Sequence, residues 1–172
     1  MPSQGMLGSP SNLQTTLDAY LYAPDNGGEG GGMDAPYMFR PMVAFIEPGT
    51  TVSWTHAGNG NVLHSVTAFA GRSTDPVLIP DGAEGYNSGP FSAAGDPFEH
   101  TFEEPGVHAF YCMPHKDFGM AGAVVVGDVG PGDSGWEPTM TRPMSELQVL
   151  APEMRSKIAK LRRMIRMRRG DS

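Results

Sequence analysis

Two Pro-Gly pairs, Pro48-Gly49 and Pro105-Gly106, each stand between short runs of strand-forming residues, and they limit what this chain can become. Proline presets φ at the second position of a turn, and glycine accepts the positive φ that a type II turn needs at the third. Met42-Val43-Ala44-Phe45-Ile46 is thereby turned into Thr51-Val52-Ser53-Trp54-Thr55, and the stretch 98–102 into Val107-His108-Ala109-Phe110-Tyr111-Cys112. Alternation sends Val52 and Trp54 to a core. Residues 63–69 and 121–126 add two further short strands, while 71–96 reads as an excursion with little regular structure. With 23 glycines and 16 prolines in 172 residues, a helical bundle is excluded. The expectation is an all-β antiparallel sandwich, with His100 and His108 as cross-strand surface neighbours.

The flanks differ from this body. Residues 1–36 read as a flexible segment around Gly27-Gly28-Glu29-Gly30-Gly31-Gly32, with a first strand near Leu17–Tyr22. The β domain is expected at 37–128, a linker at 129–150 around Pro131-Gly132, and a helical tail at 151–172. In the tail Met154, Ile158, Leu161 and Ile165 recur on one helical face, and Gly170 is a natural stop.

Charge is divided along the same boundary. Residues 1–150 hold 17 acidic against four basic residues, whereas 151–172 hold eight basic against two acidic. An acidic body repels phosphate, so nucleic acid is not the expected partner. The basic amphipathic tail admits two readings: its apolar face folds back onto the sandwich, or it makes peripheral contact with anionic lipid. Either way the tail is expected to be dispensable for the site. No run of 18 apolar residues is present. The opening Met1-Pro2-Ser3-Gln4-Gly5 lacks the basic and apolar stretches of an export leader.

Chemistry concentrates around the single cysteine. One cysteine excludes an internal disulfide and the multi-cysteine zinc sites. Cys112, His115 and Met120 form C-x2-H-x4-M between two strands, and thiolate, imidazole and thioether are together soft metal donors. A second histidine must come from elsewhere: His64 at a loop–strand boundary is best placed, with His56 as the alternative. Two histidines, a cysteine and a weak axial methionine form the donor set of blue copper centres, whereas zinc seldom accepts a thioether. Met113, next to Cys112, is expected to point away and to form an apolar rim with Pro114 and Phe118. Ser65 is expected to tie the His64 strand to the Cys112 loop.

The segment Cys112-x-Pro114-His115-x-x-x-Gly119-Met120 resembles the ligand loop of plastocyanins. From Phe45-Ile46-Glu47-Pro48-Gly49-Thr50 to Gly122-Ala123-Val124-Val125-Val126-Gly127 the chain is similar to the haloarchaeal halocyanins. The resemblance implies a cupredoxin-like Greek-key β-sandwich carrying one type 1 copper, Cu(I)/Cu(II), held by His64, Cys112, His115 and Met120. It implies a monomeric one-electron carrier, not an enzyme, that serves membrane-associated redox proteins outside the cytoplasm, at the cell surface or on the membrane. A copper chaperone or store is the alternative. Relatives often carry Asp-Ser-Gly where this chain has Asn87-Ser88-Gly89, a change expected to be distant from the ligand motifs and to leave the metal assignment alone.

Overall fold

The computed structural model describes residues 14–21, 37–56, 63–91 and 96–170; the glycine-rich joint at 27–32 lies outside them. Among the described residues, eight strands make two four-stranded sheets. The first contains β1 (Gln14–Leu21), β2 (Tyr37–Arg40), β4 (Thr50–His56) and β6 (Phe98–Phe102), in the order β2-β1-β4-β6. The second contains β3 (Val43–Ile46), β5 (Thr67–Ala68), β7 (Gly106–Tyr111) and β8 (Ala121–Val126), in the order β3-β8-β7-β5. Between β3 and β4 the turn forms as its residues dictate: Gly49 takes φ 91° and the Thr50 N–H donates to Glu47 O at 3.2 Å.

The sandwich is mixed rather than purely antiparallel. β1 runs parallel to β4, and β3 parallel to β8. Both pairs join strands distant in sequence, which no tight turn can specify, so turn chemistry alone did not reveal them. Crossing between sheets also separates β6 from β7. His108 consequently lies buried at 3 % exposure, edge-on to the Phe102 ring at 5.1 Å, instead of beside His100 on a surface. Because β1 pairs with both β2 and β4, the folded unit begins before residue 37.

Two cores result. One lies between the sheets and holds Phe39, Ile46, Val52, Trp54, Phe110 and Val124. The other covers the outer face of the second sheet, where Val107, Ala109, Tyr111, Ala121, Ala123 and Val125 meet Trp136, Met140, Leu147, Leu150 and the apolar face of α2 (Pro152–Arg169). Every residue of β7 and β8 is buried, as a strand covered on both faces requires.

Residues 129–150, expected as a linker, are therefore packed structure. They carry the short α1 (Glu137–Met140) and a 3-10 turn at Met144–Leu147. Gly135 lets this segment lie directly on Pro105-Gly106, where a side chain would strike the Pro105 carbonyl. The Val107 N–H donates to Gly135 O at 2.9 Å, and the buried Thr139 hydroxyl bonds the Leu78 and Val107 carbonyls. α2 starts with Pro152 at its first position and stops at Gly170 in the left-handed region. Met154, Ile158, Leu161 and Ile165 face the sheet, each no more than 3 % exposed.

Its cations are largely turned inward too. Arg162 donates to Thr139 O and Arg142 O, Arg166 to Met140 O, Arg155 to Leu150 O and Arg169 to Val129 O. The tail thus folds back onto the sandwich and is part of its core. Ending the chain at Pro143 removes Leu147, Leu150 and the four α2 anchors, each worth about 1.5–3 kcal/mol. Their sum rivals the whole stability of an ordinary domain. The expected outcome is an aggregating or non-cooperatively melting protein in calorimetry; a truncated chain with an unchanged, sharp transition contradicts this packing.

Candidate metal centre

The centre is built where β7 leaves the sheet. After Tyr111 the chain turns through Cys112–His115, makes one 3-10 turn at Lys116–Phe118, and re-enters the sheet as β8. Backbone bonds close this loop on itself: Cys112 N–H donates to Met120 O at 3.0 Å, and Met120 N–H to His115 O at 3.3 Å. Cys112, Met120 and His64 are fully buried. His64 arrives from the other loop, held by a reciprocal backbone pair with Phe91.

Three of the four expected donors meet. One ligand atom each from His64, Cys112 and His115 lie within 4.8 Å of one another. Cys112 Sγ stands 3.8 Å from His64 Nδ1 and 3.4 Å from His115 Nδ1. Two donors bound at about 2.3 and 2.0 Å to one ion, at a trigonal angle, lie about 3.8 Å apart, so the spacing fits a single first-row metal. Met120 follows on the same loop, buried with Cys112 in one apolar cluster. His56 is outside the trio; its ring packs against that of His64 at 4.7 Å. Among the described residues no other group of three such donors exists.

Ser65 links the two loops as its position suggests. Its N–H donates to Cys112 Sγ at 3.4 Å, and its hydroxyl accepts the Met113 N–H at 2.8 Å. The hydroxyl also bonds Thr67, whose own hydroxyl donates to Asn87 Oδ1 at 3.1 Å. Asn87 Nδ2 in turn donates to the Met113 sulfur at 3.6 Å. Residue 87 is thus remote in sequence yet linked to the ligand loop, which overturns the expectation that it is distant. An aspartate there keeps the acceptor, loses the donor and adds a negative charge. Asn87→Asp is expected to lower the reduction potential of the metal-loaded protein in voltammetry, since nearby negative charge favours the more oxidised ion; an unchanged potential separates residue 87 from the centre.

The His115 ring is covered: Tyr37 stacks on it at 3.8 Å between centroids and 9° between planes, leaving 9 % exposure. Phe118 leans on the same Tyr37 ring at 5.2 Å and is itself half exposed. Met113, Pro114 and Phe118 form the solvent-facing rim. Sequence reading assigned Tyr37 no role, because a lone aromatic on a short strand carries no signal of what it will cover.

Burial sets the proton inventory. It lowers the His64 pKa to about 4, helped by the neighbouring His56 and His115, and also lowers that of His115. Burial raises the Cys112 thiol to about 11, against the opposing bonds from Ser65 and His115. At neutral pH the metal-free trio is two neutral imidazoles and a thiol, so binding must expel one proton. Metal affinity is expected to rise about tenfold per pH unit from pH 6.5 to 8, and more steeply in acid where imidazoles also protonate. A chelator-competition titration checks this; a flat profile contradicts binding through the thiolate.

A buried, preformed set of two imidazoles, one thiol and a neighbouring thioether on a β-sandwich defines a mononuclear soft-metal protein of cupredoxin type. Comparison with known proteins names the family. Residues 27–127 match the model for copper binding proteins of the plastocyanin/azurin family, and the chain belongs to that family. Halocyanin of Natronomonas pharaonis is 33 % identical over 90 residues, which cover 52 % of this chain and 48 % of that protein. A putative pseudoazurin of Rhizobium leguminosarum bv. viciae is 32 % identical over 97 residues, covering 56 % of this chain and 55 % of that one. The chain thus spans about half the length of these relatives. In fold, pseudoazurin from Methylobacterium extorquens AM1 superposes with a TM-score of 0.60 at 21 % identity, covering 87 % of this chain and 98 % of that one.

Proposed function

We propose that the protein is a type 1 copper electron carrier with His64, Cys112, His115 and Met120 as the ligands. The observation that carries this reading is the preformed trio, whose donors stand at single-ion spacing between two loops tied by Ser65. Copper supplies a one-electron Cu(I)/Cu(II) couple when bound there. The chain's part is to hold the donors still while the charge changes. Ser65 and the backbone bonds between Cys112, His115 and Met120 fix both loops, and burial keeps water from adding a ligand. A fixed donor set lowers the rearrangement that each electron transfer requires.

Met113, Pro114 and Phe118 give a small apolar surface around Tyr37 and His115, suited to brief docking with redox proteins. Electrons would pass through the stacked His115–Tyr37 pair. Such partners are membrane-associated electron-transport proteins in this reading, and the carrier works as a monomer outside the cytoplasm. Lipid contact through α2 is reduced to electrostatics from exposed cations such as Arg163, since its apolar face is already buried. An exchanging chaperone is less well supported, because its cysteine would be reachable and Cys112 is fully buried.

The test is the visible spectrum and potential of the copper-loaded chain. Wild type is expected to bind one copper and turn intensely blue, and Cys112→Ser to be colourless because thiolate-to-copper charge transfer is gone. Met120→Leu is expected to stay blue with a higher potential, since losing the thioether and adding apolar bulk would disfavour Cu(II). A colourless wild type, or a Met120→Leu potential equal to wild type, counts against the assignment.

A further inference from the structure

We propose that the first turn of α2 positions the Gly119–Met120 segment, so that a helix outside the ligand set controls the geometry of the centre; the ligand role of Met120 in this rests on the copper reading above. Gly119 ends the 3-10 turn at φ 81°, and its N–H donates to Lys116 O at 3.0 Å. The backbone of α2 passes directly over it. A Cβ on Gly119 would lie 2.8 Å from Glu153 O and 3.1 Å from the Glu153 carbonyl carbon. Two main chains therefore touch with no side chain between them, immediately before Met120. Backbone cannot change rotamer to absorb a shift, so displacement of the helix start transmits directly to the loop.

The helix is anchored for such a role. Met154, one residue beyond the contact, is fully buried in the cluster that also holds Tyr111 and Ala121, the residues preceding Cys112 and following Met120. At the other end Arg162, Arg166 and Arg169 grip carbonyls of the 129–142 segment, so the helix cannot slide along its axis without breaking them. Asp75 braces the same loop from a different side by pairing with Lys116 and accepting the Tyr111 hydroxyl at 2.8 Å. The 3-10 turn is thus held between the α2 start and Asp75.

Paired cavities in one helix test this. Met154→Ala empties a site beside the contact, and Ile165→Ala empties a site about 16 Å further along the same helix and in the same core. In the metal-free 172-residue chain, amide exchange at Gly119 and Met120 is expected to quicken at least tenfold in Met154→Ala and to change less than twofold in Ile165→Ala. With copper, only Met154→Ala is expected to shift the relative intensities of the visible bands. If Met154→Ala does not fold, Met154→Leu reshapes the site with little loss of volume and is read in the same way. Equal quickening in both variants, or none in either, overturns the proposal. The exchange measurement needs no metal, so it stands or fails separately from a wild type that does not turn blue.

Discussion

The hydrogen bond from Ser65 N–H to Cys112 Sγ joins the two halves of the centre, and much of the architecture serves to make it. Ser65 follows His64 on one loop, and Cys112 directly follows β7 on another, 47 residues away. For them to meet, the chain must cross between sheets and bring β5 beside β7, which it does at Thr67–Tyr111 and Ala68–Phe110. With that pairing made, His64 and His115 face one sulfur from two directions. The same amide donor stabilises a thiolate, whose charge burial otherwise opposes.

Rigidity at the site comes from packing applied to both faces of the second sheet. The inner face is closed by the aromatic cluster around Trp54, Phe110 and Phe39. Its outer face is closed by α2 and the 129–150 segment. A sheet covered on one side only would leave β7 and β8, the strands that launch and receive the ligand loop, free to bend into solvent. This arrangement also explains the basic tail. Its arginines donate hydrogen bonds to backbone carbonyls of the segment they cover and thereby fix the helix to the body.

Local chemistry was legible in the residues. The Pro48-Gly49 turn, the inward Val52 and Trp54, the amphipathic stripe from Met154 to Ile165 and the C-x2-H-x4-M loop all depend on neighbours within a few positions. Long-range placement was harder to read. The parallel pairing of β1 with β4 and of β3 with β8 has no local marker. Residues 129–150 look like a linker because Pro131 and Gly132 punctuate their start, yet Gly135 is there to permit close backbone approach. One signal was available: Ala121-Gly122-Ala123-Val124-Val125-Val126 has no polar alternation, the mark of a strand covered on both faces. Tyr37 and Asn87 act only through contacts that the fold creates.

In this arrangement the protein, and not the metal, sets the donor geometry. Copper-edge X-ray absorption on the oxidised and the reduced protein tests it most directly. One sulfur and two nitrogen donors are expected at short range in both states, with bond lengths changing by about 0.1 Å or less, since loops closed by Ser65 and Met120 leave little room to relax. Loss of the short sulfur donor on reduction, or gain of an oxygen donor on oxidation, would contradict it.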